Sequence, residues 1–251
     1  MMDEALPSPF RLIAYPTIGS TNDELKRLAR EGAGEGLVIT AERQTAGRGR
    51  RGRAWMSPPG NLYASVLVRP QCRAATAAQL GFVAALGVAD AIAALAPAIM
   101  PRCKWPNDVL INGKKVCGIL LETEMAGGDR PDFVIIGLGV NIATSPRDTP
   151  YAATSLAEEA ASGIAPQTMT TAFIHRLSTW LTVWREQGFA PIREAWLTRA
   201  AGLGKEILVR LERDTLAGRF VDLDSDGSLL IDLAGESRRI AAGEVFPARA
   251  A

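Results

Sequence analysis

The sequence predicts an α/β domain followed by a small all-β domain, on three observations. Up to about residue 200, apolar runs of strand length alternate with segments of helical period. From about Leu203 the runs become short and evenly spaced, with Gly and Asp between them, as in a small barrel. Hydrophobic residues make up 47% and charged residues 22% of the 251 residues, which indicates a folded chain rather than disorder. We therefore predict two domains, 1–202 and 203–251.

The first elements are a capped helix and two strands. Ser20 is in the N-cap position, acidic residues occupy the first turn, and the helical pattern stops at Gly32. Apolar runs then predict buried strands over 37–41 and 62–68.

The longest apolar stretch, 74–98, is long enough for a membrane span, but Asp90 would lie inside the bilayer. We predict a buried helix and no membrane partner.

The acidic, proline-containing N-terminus does not fit a signal peptide. Three cysteines without CxxC spacing and a single histidine exclude a disulfide framework, a zinc site and histidine-based covalent catalysis, and they favour the cytoplasm.

Asn112-Gly113 lies between two apolar runs and predicts a type I′ hairpin. With that turn, four residues share one face of the sheet: Asp108, Leu110, Lys115 and Cys117. A lysine and an aspartate on a mostly apolar face are costly unless paired. An ion pair, an edge lysine and a functional site are the open interpretations.

The remaining elements follow the same patterns. The glycine-containing run 133–142 predicts a central strand whose end a ligand or another part of the chain approaches closely. The Ser/Thr/Pro-rich segment 144–155 predicts a loop. Helical spacing predicts helices over 173–184 and 192–199. The C-terminal strands are predicted over 207–211, 219–223 and 229–233.

Positive charge is concentrated in the loop Gly47-Arg-Gly-Arg-Arg-Gly-Arg53. Residues 42–53 hold five arginines and one glutamate, a local charge of +4 in a chain of net charge +1. Arginine forks suit carboxylate and phosphate oxygens, and the glycines let backbone N–H groups approach a phosphate. The loop is not a P-loop, because no GK[ST] follows. A solvated basic loop and a nucleic-acid patch stay open, but the lack of interleaved aromatic residues favours a small polyanionic ligand.

Five motifs resemble, in the same order, those of biotin protein ligases, also called biotin–[acetyl-CoA-carboxylase] ligases. They are Ser20-Thr-Asn22, Gln44 with Gly47–Arg53, Lys104-Trp-Pro-Asn-Asp108, Lys115 with Gly118-Ile-Leu, and Gly137-Leu-Gly-Val-Asn141. The resemblance implies a class II synthetase-like α/β domain, with a mixed, mainly antiparallel sheet flanked by helices, and a C-terminal SH3-like barrel. It also implies that ATP activates biotin to biotinyl-5′-AMP, which then biotinylates a lysine of a biotin carboxyl carrier protein.

The resemblance further implies the roles of individual residues. Lys115 would hold the reacting carboxylate and α-phosphate together, and Asp108 would be an indirect Mg²⁺ ligand or a base for the incoming amine. Mg²⁺ is expected on the phosphates, with no protein residue assigned as a direct metal ligand. Arg48 and Arg50 would contact the acyl-phosphate. The implied binding residues are Ser20, Thr21, Asn22 and Gln44 for biotin, Gly47, Gly49, Arg51 and Arg53 for phosphates, Trp55 and Asn141 for adenine, and Lys104, Asn107 and Gly118 beside them.

Two other functions are weighed against this one. A lipoate or octanoate ligase-transferase shares the fold, but its family lacks the arginine-glycine loop. A nucleic-acid-binding module would use that loop and bind with a steep salt dependence. Only 19 residues precede Ser20, too few for the helix-turn-helix of relatives that double as repressors, so we expect no DNA partner. A homodimer is left open, and loops 44–54 and 144–155 are expected to order over bound ligand.

Overall fold

The structure is a computed structural model that describes residues 5–147, 149 and 151–248. In chain order its elements are β1 (Arg11–Ile18), α1 (Thr21–Arg30), β2 (Leu37–Gln44), β3 (Leu62–Val68), α2 (Ala74–Ala77), α3 (Leu80–Leu95), β4 (Arg102–Lys104), β5 (Asp108–Ile111), β6 (Lys114–Gly127), β7 (Arg130–Val140), α4 (Pro166–Gln187), α5 (Phe189–Thr198), β8 (Glu206–Arg210), β9 (Thr215–Leu223), β10 (Leu229–Leu233), β11 (Glu236–Ile240) and β12 (Glu244–Pro247).

The strands form two separate sheets. The larger has seven strands in the order β1-β2-β3-β7-β6-β5-β4. Strands β1 and β2 are parallel, and the other neighbouring pairs are antiparallel. The smaller sheet has five antiparallel strands in the order β11-β10-β9-β8-β12. This architecture confirms the predicted fold class, while the boundary at 202/203 stays a prediction.

The large sheet is covered on both faces, and alternation along β7 shows how. Val134 and Ile136 belong to the main core, which α3, α4 and α5 cover. Phe133 and Ile135 point to the opposite face, where they form a smaller core with Leu25 of α1. Both cores exclude water from the middle of the sheet, so the strands that carry the site residues are held rigidly.

The alanine-rich stretch forms the buried helix that the sequence predicts, divided into α2 and α3. In the described residues, Ala74–Leu95 is the one helical stretch long and apolar enough to cross a membrane, and most of it is buried within the protein. Gly87 lets α4 approach closely, since a Cβ there would lie 3.3 Å from the backbone nitrogen of Leu177. Asp90 accepts hydrogen bonds from Trp180 and Arg199, which accounts for an acid on an apolar helix.

The predicted hairpin between β5 and β6 is present. Asn112 and Gly113 both have positive φ, 50° and 77°, as a type I′ turn requires. Leu110 pairs with Lys115, as the two-residue turn predicts.

Beyond that pair the predicted register is wrong, because Val116 forms a β-bulge. Asp108 lies opposite Gly118 and not opposite Cys117. Cys117 therefore points into the main core, where burial raises the pKa of its thiol. Gly118 takes the place beside Lys115 that we had predicted for the cysteine.

The second sheet is joined to the first domain by an aromatic contact. The indole N–H of Trp105 donates to the carbonyl of Gly227, at 3.0 Å. Phe82 packs edge-on against Phe189 and Trp196, with ring centroids 5.3 and 5.5 Å apart. A Cβ on Gly227 would lie 2.6 Å from the Phe82 ring, so the turn and the ring fit closely.

We predict that Gly227→Ala destabilises the protein more than Gly235→Ala does. Both glycines have a left-handed backbone, φ 93° and 97°, but a Cβ at Gly235 meets nothing within 4 Å. The backbone conformation costs each variant about 1–2 kcal/mol, and overpacking against Phe82 costs Gly227→Ala about 1–3 kcal/mol more. Urea unfolding of both variants measures the difference. Equal losses would contradict the close contact at Phe82.

Candidate active site

One cavity opens beside the N-terminus of α1, between the large sheet and β12. It holds about 940 Å³ of empty space, part of which is open solvent at its mouth. Most of the site residues predicted from the sequence line it: Ser20, Thr21, Asn22, Gln44, Arg48, Gly49, Arg50, Arg53, Trp55, Lys104, Asn107, Asp108, Lys115 and Gly118. Motifs that are far apart in the sequence thus meet at one place.

Glycines on β6 and β7 make room for the cavity. Gly137 and Gly139 continue the face of β7 that carries the smaller core, but they leave space where side chains would otherwise stand. A Cβ at Gly137 would overlap the carboxamide of Asn22, and one at Gly139 would overlap the indole of Trp55. Gly118 on β6 is in contact distance of the same indole. The glycines therefore fix where these two side chains lie.

A cluster of neutral polar side chains lies at one end of the cavity. The N–H and the hydroxyl of Thr21 donate to Oε1 of Gln44, at 2.9 and 3.1 Å, and Nε2 of Gln44 donates to Ser57. The hydroxyl of Ser65 lies 2.8 Å from Oγ1 of Thr21 and 2.5 Å from Oδ1 of Asn22. Sequence reasoning missed Ser57 and Ser65. The signal for Ser65 is a hydroxyl in the middle of β3, a strand that is buried throughout.

Ser20 begins this end of the cavity as the N-cap of α1. Its backbone is extended, and its hydroxyl lies 3.5 Å from the backbone nitrogen of Asp23. Free N–H groups at a helix N-terminus favour a nearby negative charge. Ser20 is therefore both the N-cap of α1 and part of the cavity wall.

Arg48 is held by two carboxylates. Its terminal nitrogens donate to both oxygens of Asp23, at 2.5 and 2.6 Å, and to Glu122, at 3.0 Å. Hydrogen bonds from Arg48 lower the pKa of Asp23. Burial by itself raises the pKa of Glu122, but hydrogen bonds from Lys26, Asn22 and Arg48 outweigh it, so the pKa is lowered. Asp23, Glu122 and Arg48 are therefore charged at neutral pH.

Arg50 has a different environment. It donates to Oδ1 of Asn107, at 3.0 Å, and Asn107 is fixed by hydrogen bonds to the backbone of Ile119. Among the described residues, no carboxylate lies within ion-pair distance of Arg50. Burial lowers the pKa of the guanidinium, which stays protonated because arginine starts from a very high pKa. Arg50 is thus a partly buried cation with a neutral hydrogen-bond partner, and the carboxylates of Asp108 and Glu244 act on its charge from beyond ion-pair distance.

Lys115 and Asp108 form an ion pair with 2.6 Å between Nζ and Oδ1, and both side chains are largely buried. The pair forms despite the register change, because the bulge leaves Lys115 on the same face as Asp108. Lys104 approaches the other oxygen of Asp108, at 3.4 Å. The ammonium of Lys115 also lies 5.4 and 4.9 Å from the ring centroids of Trp55 and Tyr151. Two lysines therefore share one carboxylate, leaving net positive charge.

Trp55 presents an unused donor. Its indole N–H is buried and has no hydrogen-bond partner in the described part of the chain. Buried indole N–H groups normally have a partner. The indole nitrogen packs against Gly139, where a Cβ would overlap it, while Trp55 itself lines the cavity.

Tyr151 was not predicted and belongs to the loop expected over 144–155. Positions 148 and 150 of that loop lie outside the described residues. After Tyr151 the chain pairs with β6, since Lys115 N–H donates to Ala152 and Thr154 N–H donates to Lys115. This pairing places Tyr151 directly over the Lys115 ammonium.

The C-terminal sheet also contributes to the cavity, which the sequence did not indicate. Glu244, Val245 and Phe246 of β12 are among its lining residues. Glu244 forms an ion pair with Arg53, and the ammonium of Lys104 lies 5.4 Å from the centroid of the Phe246 ring. The cavity is therefore closed on one side by a strand of the second domain.

Three predicted binding residues do not line the cavity. A Cβ at Gly47 would lie 2.8 Å from Oγ of Ser57, so packing requires glycine there. Arg51 is exposed, in a left-handed turn with φ 56°. Asn141 is buried, and its amide donates to the carbonyl of Thr154, at 3.0 Å. In the structure they shape the surrounding loops, and their contacts with a ligand stay predictions.

Comparison with known proteins agrees with this geometry. The model of the Biotin/lipoate A/B protein ligase family matches residues 14–141, and that of the Biotin protein ligase C terminal domain matches residues 202–246. The biotin–[acetyl-CoA-carboxylase] ligase of Paracoccus denitrificans is 41% identical over 235 residues, which cover 90% of this chain and 96% of that protein. The bifunctional ligase/repressor BirA of Bacillus subtilis is 35% identical, over 93% of this chain and 73% of that protein.

A solved structure is similar over almost the whole chain. It is the biotin protein ligase from Aquifex aeolicus in complex with biotin and ATP, with a TM-score of 0.83 and 30% identity. The match covers 94% of this chain and 97% of the other. The resemblance found in the sequence motifs is confirmed, and the chain belongs to the Biotin/lipoate A/B protein ligase family, among its biotin protein ligases.

Proposed function

We propose that this chain activates biotin with ATP to biotinyl-5′-AMP and transfers the biotinyl group to a lysine of a biotin carboxyl carrier protein. The observation that carries the proposal is the convergence of Arg48, Arg50 and Lys115 on one cavity that a cluster of neutral polar side chains also lines. A molecule with an acidic group at one end and a polar, uncharged head at the other fits this arrangement. Biotin has that form.

In the first step, a carboxylate oxygen of biotin attacks the α-phosphorus of ATP. An oxygen–phosphorus bond forms, the bond to the β-phosphate oxygen breaks, and pyrophosphate leaves. Both reactants are anions, so catalysis requires positioned positive charge. Lys115 holds the carboxylate beside the α-phosphate, Arg48 and Arg50 contact the acyl-phosphate, and Arg53 lies nearer the pyrophosphate.

The neutral end of the cavity recognises the ureido ring. The polar groups of Thr21, Asn22 and Gln44 offer both donors and acceptors, and Ser20 and Ser65 adjoin them. A fused ring with a ureido group uses such a set inside an apolar slot. Lipoate and octanoate have no ureido group and leave these groups without partners, so biotin is the favoured acid.

The nucleotide occupies the side of Trp55. The indole lines the cavity and stacks with adenine. The donor set also fits Mg²⁺ carried by the phosphates, since Mg²⁺ takes one or two carboxylates together with phosphate oxygens. Asp108 and Glu244 are carboxylates that line the cavity. When bound there, the metal would supply positive charge that offsets the charge of the phosphates.

In the second step, the amine of the carrier lysine attacks the carbonyl carbon of biotinyl-5′-AMP. A carbon–nitrogen bond forms and the bond to the AMP oxygen breaks. Asp108 lies beside Lys115 at the reacting end and accepts the proton that the amine loses.

We place the enzyme in the cytoplasm, because Cys72, Cys103 and Cys117 are all free thiols. A homodimer stays a prediction.

The function is tested by the exchange of labelled pyrophosphate into ATP, with biotin, lipoate or octanoate as the acid. We expect exchange with biotin alone, followed by a gain of one biotinyl mass on an added carrier domain. Exchange driven by lipoate or octanoate would instead support the second ligase activity. Oligonucleotide binding that weakens steeply with salt, without exchange, would support the nucleic-acid function.

We predict that Lys115→Ala nearly abolishes adenylate formation while Lys114→Ala does not. Loss of one group that stabilises developing charge costs about 10²- to 10³-fold in rate. Lys114 is the adjacent lysine, but it is half-exposed and pairs with Glu159 away from the cavity. Exposed ion pairs contribute little, so Lys114→Ala is a matched control. Equal activity of the two variants would contradict the assignment of Lys115, and circular dichroism verifies that both fold.

We predict that biotin with ATP slows tryptic cleavage within residues 48–53. Arg51 and Arg53 are exposed, and ligand oxygens would hold the loop that carries them. Arg213, in an exposed turn of the second sheet, serves as an internal control whose cleavage should not change. Mass spectrometry of timed digests measures both sites. Cleavage at the same rate with and without ligand would exclude ordering of this loop.

A further inference from the structure

Glu122 on β6 is a carboxylate that three side chains of the site region share. It accepts hydrogen bonds from Nδ2 of Asn22 at 2.5 Å, from Nζ of Lys26 at 2.7 Å and from Arg48 at 3.0 Å. Only 20% of its side chain is exposed. Asn22 and Arg48 line the cavity, whereas Glu122 lies behind them. Glu122 thus connects Asn22, which we assign to biotin, with Arg48, which we assign to the acyl-phosphate.

The position of Glu122 follows from how α1 packs on the sheet. Asn22, Lys26 and Arg30 are four residues apart and share one face of the helix, at a rise of about 6 Å per step. Glu122 and Glu124 are two residues apart on β6, about 6.7 Å from each other along the strand. The two spacings match, so Glu124 pairs with Arg30 as Glu122 pairs with Lys26. The Glu124 pair is more exposed and lies one step away from the cavity.

Glu122 decides which way the carboxamide of Asn22 points. An amide can present its nitrogen or its oxygen, and a carboxylate accepts hydrogen bonds but does not donate them. Because Nδ2 faces Glu122, Oδ1 is turned toward Ser65 and the surface of Gly137. A neutral amide at position 122 would accept with one end and donate with the other, and this preference would be lost.

Glu122 also fixes Arg48 in a way that Asp23 does not. The Asp23 side chain is 56% exposed, whereas that of Glu122 is 20% exposed. An incoming anion competes easily with an exposed carboxylate, because the pair is already screened by water. A partly buried carboxylate with three donors is held much more firmly. Arg48 can therefore exchange Asp23 for a ligand oxygen while it stays anchored to Glu122.

We infer that Glu122 is a positioning residue that orients Asn22 and Arg48 together. The amide of Asn22 and the guanidinium of Arg48 then contact biotin in a fixed relative position. It touches neither the substrate nor the reacting atoms. This inference rests on the proposed function, which it extends to a residue outside the cavity wall.

The test compares Glu122→Gln with Glu124→Gln in the full chain, by biotin-dependent pyrophosphate exchange. Both variants lose an ion pair between α1 and β6, but only the first loses contacts to Asn22 and Arg48. We expect Glu122→Gln to lower kcat/KM for biotin about 10- to 100-fold, as expected when hydrogen bonds to a charged group are lost. The KM for biotin should rise more than the KM for ATP, and gel filtration should show faster loss of bound biotinyl-AMP. Glu124→Gln should match the wild type in all three measurements.

The outcomes are distinguishable. No biotin-dependent exchange by the wild type would reject the proposed function itself. Exchange by the wild type together with equal kcat/KM in the two variants would overturn the role of Glu122 and leave the function intact. Thermal unfolding identifies a variant that fails to fold. In that case the test uses Glu122→Asp, which keeps the charge but reaches less far. A raised KM for biotin in this variant supports the inference, and an unchanged KM overturns it.

Discussion

The cavity depends on positive side chains being held close together before any phosphate is bound. Arg48 and Lys115 would repel each other in a partly buried space if nothing compensated them. The chain supplies a carboxylate to each, Glu122 to Arg48 and Asp108 to Lys115. These carboxylates come from different strands, so the charge balance requires the sheet to be assembled. It also explains how a strongly basic loop belongs to a chain whose net charge is only +1.

Sheet geometry determines where this balance can be built. On one face of β7 the side chains of the smaller core end at Ile135, and the next two positions on that face are Gly137 and Gly139. No side chain projects from the sheet at these two positions, and Asn22 and Trp55 fill part of the space. The same strand therefore supplies core packing at one end and room for a ligand at the other. Core packing and ligand binding thus use the same face of β7, at different positions along the strand.

Much of this could be predicted from the sequence, and the exceptions have physical causes. The helices and central strands have strong periodicity, so most of their positions were predicted to within a few residues, although α4 begins seven residues before the predicted 173. Strands β4, β11 and β12 were missed because they are short. Strand β1 is mostly apolar and was missed because Pro16 interrupts its run. The bulge at Val116 has no local signal, since it depends on pairing with β5. Charged motifs predicted most of the cavity wall, but Tyr151, Glu244 and Phe246 reach it only through the tertiary fold.

The contribution of the second domain shows that the cavity is not a property of one domain alone. Trp105 lies between Lys104 and the start of β5, and its indole is fixed to the carbonyl of Gly227 in the C-terminal sheet. The segment that carries Lys104 and Asp108 is therefore anchored from outside the large sheet. At the same cavity, Glu244 holds Arg53. Because the second domain touches both the lysine-carboxylate group and the arginine loop, its position sets the distance between them, and a shift of that domain changes the cavity even when every strand of the large sheet stays in place.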